Sequence, residues 1–355
     1  MPIDFMLGQA NLAPDVQQRL LQYNFDPGAL RPWRCPDTGK TYMTLTENGA
    51  AKSILAANVN ASMTKEAWIA FDASIMRAAR SRLRAVADIR AAGLVYTIPN
   101  GMGKTVLEHQ RMTDINDATL SMDGLRFGAD DRPEFDSQYL PLPICHKDFS
   151  FPLRQIQVSR NGGMPLDTSM GEAAGRKVAE YVEKLTLGKL DTYSFGGGTI
   201  YGYTNYASVL EQVLTSPDDT AWTPATLLGE ILTMKQTALA AKHYGPFVLN
   251  FSTGWDLYLD NDYSTLYPNK TLRMRIAEID NISSIRTLDY LENFDCVMVE
   301  MNTETIRMVV GMEIMTLEWD SVGGLRKNYK VMTIMVPQLR ADIDGNTGIV
   351  YGVPA

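Results

Sequence analysis

Leu140-Pro-Leu-Pro-Ile-Cys-His-Lys-Asp-Phe149, and the Phe151-Pro-Leu153-Arg154 that follows it, decides how this chain is read. Two prolines keep its first half out of a helix, and Phe149, Phe151 and Leu153 then alternate as a half-buried strand does. Beyond it, Asp167 or Thr168 opens a long helix over 169–186, with Ala173, Ala174, Val178, Tyr181, Val182 and Leu185 on its apolar face. Gly188 is placed to end that helix.

The same alternation of long segments continues on both sides. Downstream, Thr223 caps a helix with Pro224 at its first position, and Leu227, Leu228, Ile231, Leu232 and Leu239 give it an apolar face. Gly245 closes the segment, and Phe247–Phe251 reads as a buried strand. Further strands fit 296–301, 306–310, 312–318 and 329–336. Upstream, Thr64 caps a helical run over 64–91, in which Trp68, Phe71, Ile75, Ala79, Leu83 and Val86 form a stripe and Arg77, Arg80 and Arg84 recur beside it. The run stops at Gly93. Leu94–Ile98, a turn at Asn100-Gly101-Met102-Gly103 and a return over 105–112 read as a projecting hairpin. Residues 113–138 are polar and turn-rich. Residues 1–60, punctuated by Pro2, Pro14, Pro27, Pro32 and Pro36, read as an extended arm. Helices and strands are segregated rather than strictly alternating, so the class is α+β.

Composition narrows what such a chain can be. It has 355 residues, 45% apolar and 21% charged, with a formal charge of −8. That size suggests two domains, and no apolar run approaches the ~20 residues of a membrane helix. No secretory signal is visible at the start. Cys35, Cys145 and Cys296 are odd in number and far apart, which points to a reducing compartment rather than a disulfide framework. Charge is uneven: residues 1–90 carry eleven Lys and Arg against eight Asp and Glu, whereas the rest is strongly acidic.

Motifs that would carry chemistry fail on their own spacing. Gly103-Lys104-Thr105 ends like a phosphate-binding loop, but Ile98 stands where that loop needs its first glycine. Asp342-Ile-Asp344-Gly345-Asn346 lacks the glycine and terminal glutamate of a calcium loop and reads as a turn. Cys145 and His146 would face opposite sides of a strand, and His109 and His243 lie elsewhere. Gly196–Gly198 lacks the strand–glycine–helix order of a phosphate cradle and reads as a loop. No nucleophile–base–acid set stands out, so neither a catalytic residue nor a metal or cofactor is expected.

The run Leu140–Phe149, with Leu153-Arg154, Ser159-Arg-Asn-Gly-Gly-Met-Pro-Leu-Asp167 and Glu172-Ala-Ala-Gly-Arg-Lys-Val-Ala-Glu180, resembles the encapsulin and tailed-bacteriophage major capsid group, which shares the Hong Kong 97-type shell fold. Thr64-Lys-Glu-Ala-Trp68 through Arg80, Tyr244-Gly-Pro-Phe-Val-Leu-Asn250 with Trp255 and Tyr258, Ile276–Ile279, Val309-Val-Gly311 and Glu318-Trp319 extend the likeness in the same order. It runs from about residue 62 to the end, and the first 60 residues and much of 113–138 depart from encapsulin shells.

The resemblance implies a layout: an N-terminal arm over 1–61, an amphipathic helix over 62–91 and an extended loop hairpin over 92–138. A peripheral domain with a long spine helix takes 139–218 and 313–337, and an axial domain takes 219–312 and 338–355. It implies a structural, non-enzymatic protein that assembles with itself in pentamers and hexamers around double-stranded DNA, without sequence specificity. A portal, scaffold or cementing protein would be a further partner, and the location would be the virion capsid, assembled in the host bacterial cytoplasm. An encapsulin-type compartment enclosing a cargo enzyme is the alternative. Arg77, Arg80 and Arg84 are then expected to face the lumen and its DNA, and Tyr96, Asn100, Gly101, Gly103 and Lys104 to form an intersubunit hairpin. Pairing of those arginines with acids of the chain's own body is the competing expectation.

Overall fold

The computed structural model describes residues 33–47, 50–55, 65–80, 83–112, 135–161, 169–264, 267–342 and 344–354, together with 120, 122, 132 and 133. Its strands in chain order are β1 (Trp33–Arg34), β2 (Thr41–Glu47), β3 (Ala50–Leu55), β4 (Val95–Thr97), β5 (Val106–Met112), β6 (Phe135–Pro141), β7 (Cys145–Pro152), β8 (Tyr193–Phe195) and β9 (Gly198–Ile200). They continue as β10 (Leu210–Leu214), β11 (Phe247–Ser252), β12 (Asp262–Ser264), β13 (Tyr267–Thr271), β14 (Ile282–Leu288), β15 (Cys296–Glu300), β16 (Ile306–Ser321), β17 (Arg326–Leu339) and β18 (Ile349–Pro354). The helices are α1 (Lys65–Arg80), α2 (Arg84–Ala91), α3 (Leu153–Asn161), α4 (Ser169–Leu187), α5 (Pro224–Ala240), α6 (Asp256–Asp260) and α7 (Leu272–Ala277).

Two sheets organise the chain. The first has the order β4-β16-β17-β7 and is built on the long β16–β17 hairpin, with α4 lying against β7 and β17. The second has the order β10-β18-β15-β11-β14, with parallel pairs β10/β18 and β11/β14. Both β11 and β15 are buried along their whole length, as central strands covered on both faces are. Alternation on β15 sends Val297 and Val299 into the core under α4, and Cys296 and Met298 into the core under α5. That strand is the common wall of the two units.

The long helices form where the residue pattern places them. Thr223 accepts from the N–H of Thr226 and so caps α5. Gly188, at φ +79°, ends α4 in the left-handed conformation. The apolar stripe of α1 docks on α4 because α4 carries glycines there. A Cβ on Gly171 would stand 2.5 Å from Phe71 Cζ, and one on Gly175 2.6 Å from Ile75 Cγ2. Below this contact Trp68, Phe71, Phe149 and Phe151 surround Tyr329, whose ring stacks on Phe149 at 5.3 Å.

Four expectations need correction. The helical run over 64–91 is two helices, α1 and α2, with Leu83 in non-helical backbone before the second, so Arg84 opens a second helix instead of extending the stripe of Arg77 and Arg80. The strands over 306–310 and 312–318 are one, β16, with its register shifting next to Gly311. Within the extended arm, Thr41–Glu47 and Ala50–Leu55 form the antiparallel pair β2–β3. Residues 1–32, Thr64, Asp167 and Thr168 lie outside the described residues.

The fourth correction is the hairpin over 92–112. β4 does not pair with β5: it joins β16 in parallel, Met308 opposite Val95, while β5 pairs antiparallel with β6 from Val106↔Pro141 to Met112↔Phe135. Gly101 is the reason. It packs backbone to backbone on Gly311, where a Cβ would meet the Gly311 carbonyl oxygen at 2.3 Å, and this close approach pins the turn to β16. The projecting ribbon is therefore β5–β6, one strand later than the sequence suggests. Sheet membership also moves 306–312 to the first sheet and 210–214 to the second.

Candidate assembly surfaces

The β5–β6 ribbon is bolted to the body at its root, where β6 packs on the β8–β9 hairpin, and carries exposed side chains beyond it. Leu107, Leu140 and Leu142 sit in a small core with Ile98, Leu185, Ile200, Val309, Ile334 and Val336. Gly198 lies so near that a Cβ there would meet the Tyr139 carbonyl oxygen at 2.0 Å. Outward from this anchor Glu108, Gln110 and Phe135 are exposed, and Arg111 pairs with Asp136 across the strands at 2.7 Å. Leu120 and Met122, in the segment joining the two strands, are fully exposed. A two-stranded ribbon with apolar side chains and no local core is marginal alone and gains from a surface to lie on.

The residues expected to form an intersubunit hairpin lie at the inner end of this feature. Tyr96 is covered by the Arg307 guanidinium, 4.4 Å from the ring centroid. The Asn100 side chain accepts from the N–H of Gly103, Gly101 is buried on Gly311, and Lys104 is exposed.

The arginine row divides in a similar way. Arg77 is exposed on α1. Arg80 ends α1, and its side chain lies outside the described residues. Arg84 donates to the Thr287 carbonyl oxygen at 3.1 Å and pairs with Asp289 at 3.4 Å. Its neighbours on α2 do likewise: Asp88 takes Arg286, and Arg90 takes Glu313. These pairs tie α2 to β14 on one side and to β16 on the other. Each is largely exposed and individually weak.

A buried acid that the sequence reading passed over holds the start of α2. Glu183 projects from the spine helix α4, is 2% exposed, and accepts from the N–H groups of Ala85 at 2.6 Å and Val86 at 3.4 Å. Helix N-termini leave such donors without partners, and Leu83 at the cap position has no side chain to offer. Burial pushes the Glu183 carboxyl up to about 7, against the opposing pull of these N–H groups. The sequence signal was an acid inside the apolar face of 169–186, next to Val182 and Thr186. Gly93 closes α2 at φ +74°, letting the Leu94 N–H reach the Ile89 carbonyl and its side chain enter the core.

The second unit has its own anchor. Glu300 accepts from the Gly245 N–H at 2.9 Å and from the Thr305 hydroxyl at 3.0 Å, and pairs with His243 Nδ1. Burial raises its carboxyl, but these three partners together hold it below the usual range. The cysteines show no convergence. Cys145 is half-buried, its thiol pushed up to about 11 by burial, and Cys296 is fully buried and pushed up further, while His146 turns outward to Asp148. Asp342 accepts from the N–H and the Nδ2 of Asn346, closing a turn with Gly345 at φ +85°. Gly196 and Gly197, both at positive φ, are the two-residue turn of the β8–β9 hairpin. No helix of the described residues is long and apolar enough to cross a membrane.

A four-stranded sheet backed by a spine helix, a second sheet sharing a wall with it, and a ribbon thrown outward define the Hong Kong 97-type capsid fold, and solved structures bear this out. The virus-like particle protein of Pyrococcus furiosus matches with a TM-score of 0.57 at 16% identity, over 80% of this chain and 98% of its own. The capsid of an empty GTA particle matches at 0.55 and 10% identity, over 77% and 91%. The capsid of Myoviridae phage XM1 matches at 0.54 and 10%, over 75% and 90%. The chain belongs to DUF6260, a family of unknown function whose model matches residues 56–352. No curated protein matches it.

Proposed function

We propose that this chain is a major capsid protein, which closes with copies of itself into an icosahedral shell around a bacteriophage genome. The observation that carries the reading is the completeness of the fold: both sheets, the spine helix and the projecting ribbon are present, over nearly the whole length of the Pyrococcus particle protein. In this reading the β5–β6 ribbon lies on a neighbouring subunit, and the exposed Phe135 and Tyr139 gain their cover there. Closed symmetry multiplies modest contacts, so no single interface has to be strong. Arg77, exposed on α1, faces the contents and meets phosphate without reading sequence. The peripheral unit takes the first sheet with α1–α4, and the axial unit takes the second sheet with α5–α7.

Expression of the full chain, followed by electron microscopy and particle mass, tests this. Closed particles of many copies are expected, and a monodisperse monomer or dimer overturns it. Absorbance then separates the two shells. Particles from infected cells that carry strong base absorbance hold a genome, whereas protein-filled particles favour an encapsulin-type cargo compartment instead.

A further inference from the structure

The root of the ribbon gathers more cations and hydrogen-bond donors than it supplies with acceptors. His109 and Arg111 on β5, Gln338 on β17 and Arg340 just after it line a cleft of about 330 Å³, walled by Tyr201 and Tyr206. Arg307 stands behind Gln338 and donates from Nε to its Oε1. That bond assigns the amide and leaves its nitrogen, Nε2, without a partner. Asp136 answers one nitrogen of Arg111, and Arg340 gives Nη1 to the Thr303 carbonyl oxygen at 3.2 Å. Among the described residues neither Arg307 nor Arg340 is paired with a carboxylate.

Three buried polar atoms around this cleft have no partner: Gln338 Nε2, Arg111 Nε and His109 Nδ1. Gln338 is 1% exposed. The first two are donors in every protonation state, and leaving a buried donor unmet costs about 1–3 kcal/mol. Such a grouping is tolerated where something with acceptor atoms fills it. The His109 ring reports the same imbalance. Burial, with Arg340, Arg307 and Arg111 adding to it, holds the ring down to about 4.

We propose that this cleft is a receptor for one oxyanion, a carboxylate or a phosphate group, bound by the Arg340 guanidinium, Gln338 Nε2 and Arg111 Nε. Guanidinium forks and amide donors match the paired oxygens of both groups. Two sources offer that chemistry. One is an acidic side chain of a second copy of this chain: residues 113–134, between the two ribbon strands, hold six Asp and Glu against two Arg. The other is free phosphate. The site itself does not depend on the shell reading, although the first source does.

Inorganic phosphate is the probe. The full-length protein is titrated by calorimetry at fixed ionic strength, with chloride as the balancing ion, as dissociated subunits and as whatever particles it forms. Saturable binding of one phosphate per chain is expected in dissociated subunits. Arg340→Gln should weaken it at least about tenfold, and Arg340→Lys by less. If a copy's carboxylate is the natural occupant, assembly abolishes phosphate binding and Arg340→Gln impairs assembly. If free phosphate is, both states bind alike. A measurement without variants stands beside these: histidine-labelled wild-type protein should show one ring, His109, whose pKa rises when phosphate is added. Absence of saturable binding in dissociated subunits, with that pKa unmoved, means the cleft holds water only and overturns the proposal.

Discussion

Replacing Glu183 by Gln should make the protein more stable at pH 8, although Glu183 is the group that caps α2. The carboxyl titrates near 7 in the folded chain against an ordinary value of 4.5. Between those values the unfolded chain has released its proton and the folded chain still holds it, so raising the pH favours unfolding. The stabilisation is complete below pH 4.5 and is lost as the pH climbs through 7. At ~1.4 kcal/mol per pH unit the loss is about 3 kcal/mol. Gln is close in shape to the protonated acid. Its oxygen accepts from Ala85, but its amide nitrogen, unlike the acid's hydroxyl oxygen, cannot accept from the Val86 N–H. The variant should therefore trail by about 1 kcal/mol at pH 4.5 and lead by about 2 kcal/mol at pH 8. The assay is the difference in melting temperature between wild type and Glu183→Gln, in one assembly state, from pH 4.5 to 8. His109, whose folded value lies below its unfolded one, works in the opposite direction between about 4 and 6.5. It is present in both proteins and cancels. A variant less stable than wild type at pH 8 would refute the reasoning, because the N–H groups of α2 would then be holding the ionised form despite its burial.

Three further outcomes follow from the packing. Gly175→Ala drives a methyl to 2.6 Å from Ile75 Cγ2, beneath the Ile75 carbonyl oxygen at 3.2 Å, and should cost about 1–3 kcal/mol in thermal or chemical unfolding; a neutral result would mean α1 shifts freely on the spine. Replacing residues 113–134 by a short Gly-Ser linker should leave a folded subunit that forms no particles by electron microscopy, since the root leucines stay in place while the reach is lost; normal particles would place the contacts elsewhere. Changing Cys35, Cys145 and Cys296 together to Ser should leave particle yield largely intact, with about 1–2 kcal/mol lost at the buried Cys296, and particles that return only on oxidation of the wild-type chain would contradict it.

Long, strongly patterned segments were legible in the residue string, and contacts made by glycine backbones were not. The spine helix and the Thr223 cap announce themselves because burial repeats every 3.6 residues, and the strand at 247–251 because its residues are apolar in an unbroken run but for Asn250. The strand at 329–336 is legible as a strand, but it is buried at nearly every position where the residue pattern suggests a half-buried, alternating one. The break between α1 and α2 is silent by the same criterion. The stripe runs through Ala79, Leu83 and Val86 without interruption, and what restarts the helix is Glu183, about a hundred residues away. The ribbon was misplaced by one strand because Asn100-Gly101-Met102-Gly103 satisfies hairpin chemistry locally. Its glycine instead serves a backbone contact with Gly311, which no local pattern encodes.

The candidate site shows the same division more sharply. Sequence singled out a row of arginines at helical spacing, and folding dispersed it: Arg77 stands exposed on one helix while Arg84 is tied to Asp289 at the start of another. The arginines that folding does gather, Arg111, Arg307 and Arg340, sit in three different strands and connections, with nothing periodic to join them. Their convergence comes from register. β5 pairs with β6, β16 pairs with β17 so that Arg307 faces Gln338, and the parallel pairing of β4 lays Tyr96 beneath Arg307. A charge cluster assembled by three strand pairings resists prediction from spacing, yet it lies where the ribbon leaves the body. Arg111, paired across the ribbon to Asp136 and left without a partner at Nε beside the cleft, is the side chain that belongs to both ribbon and cleft.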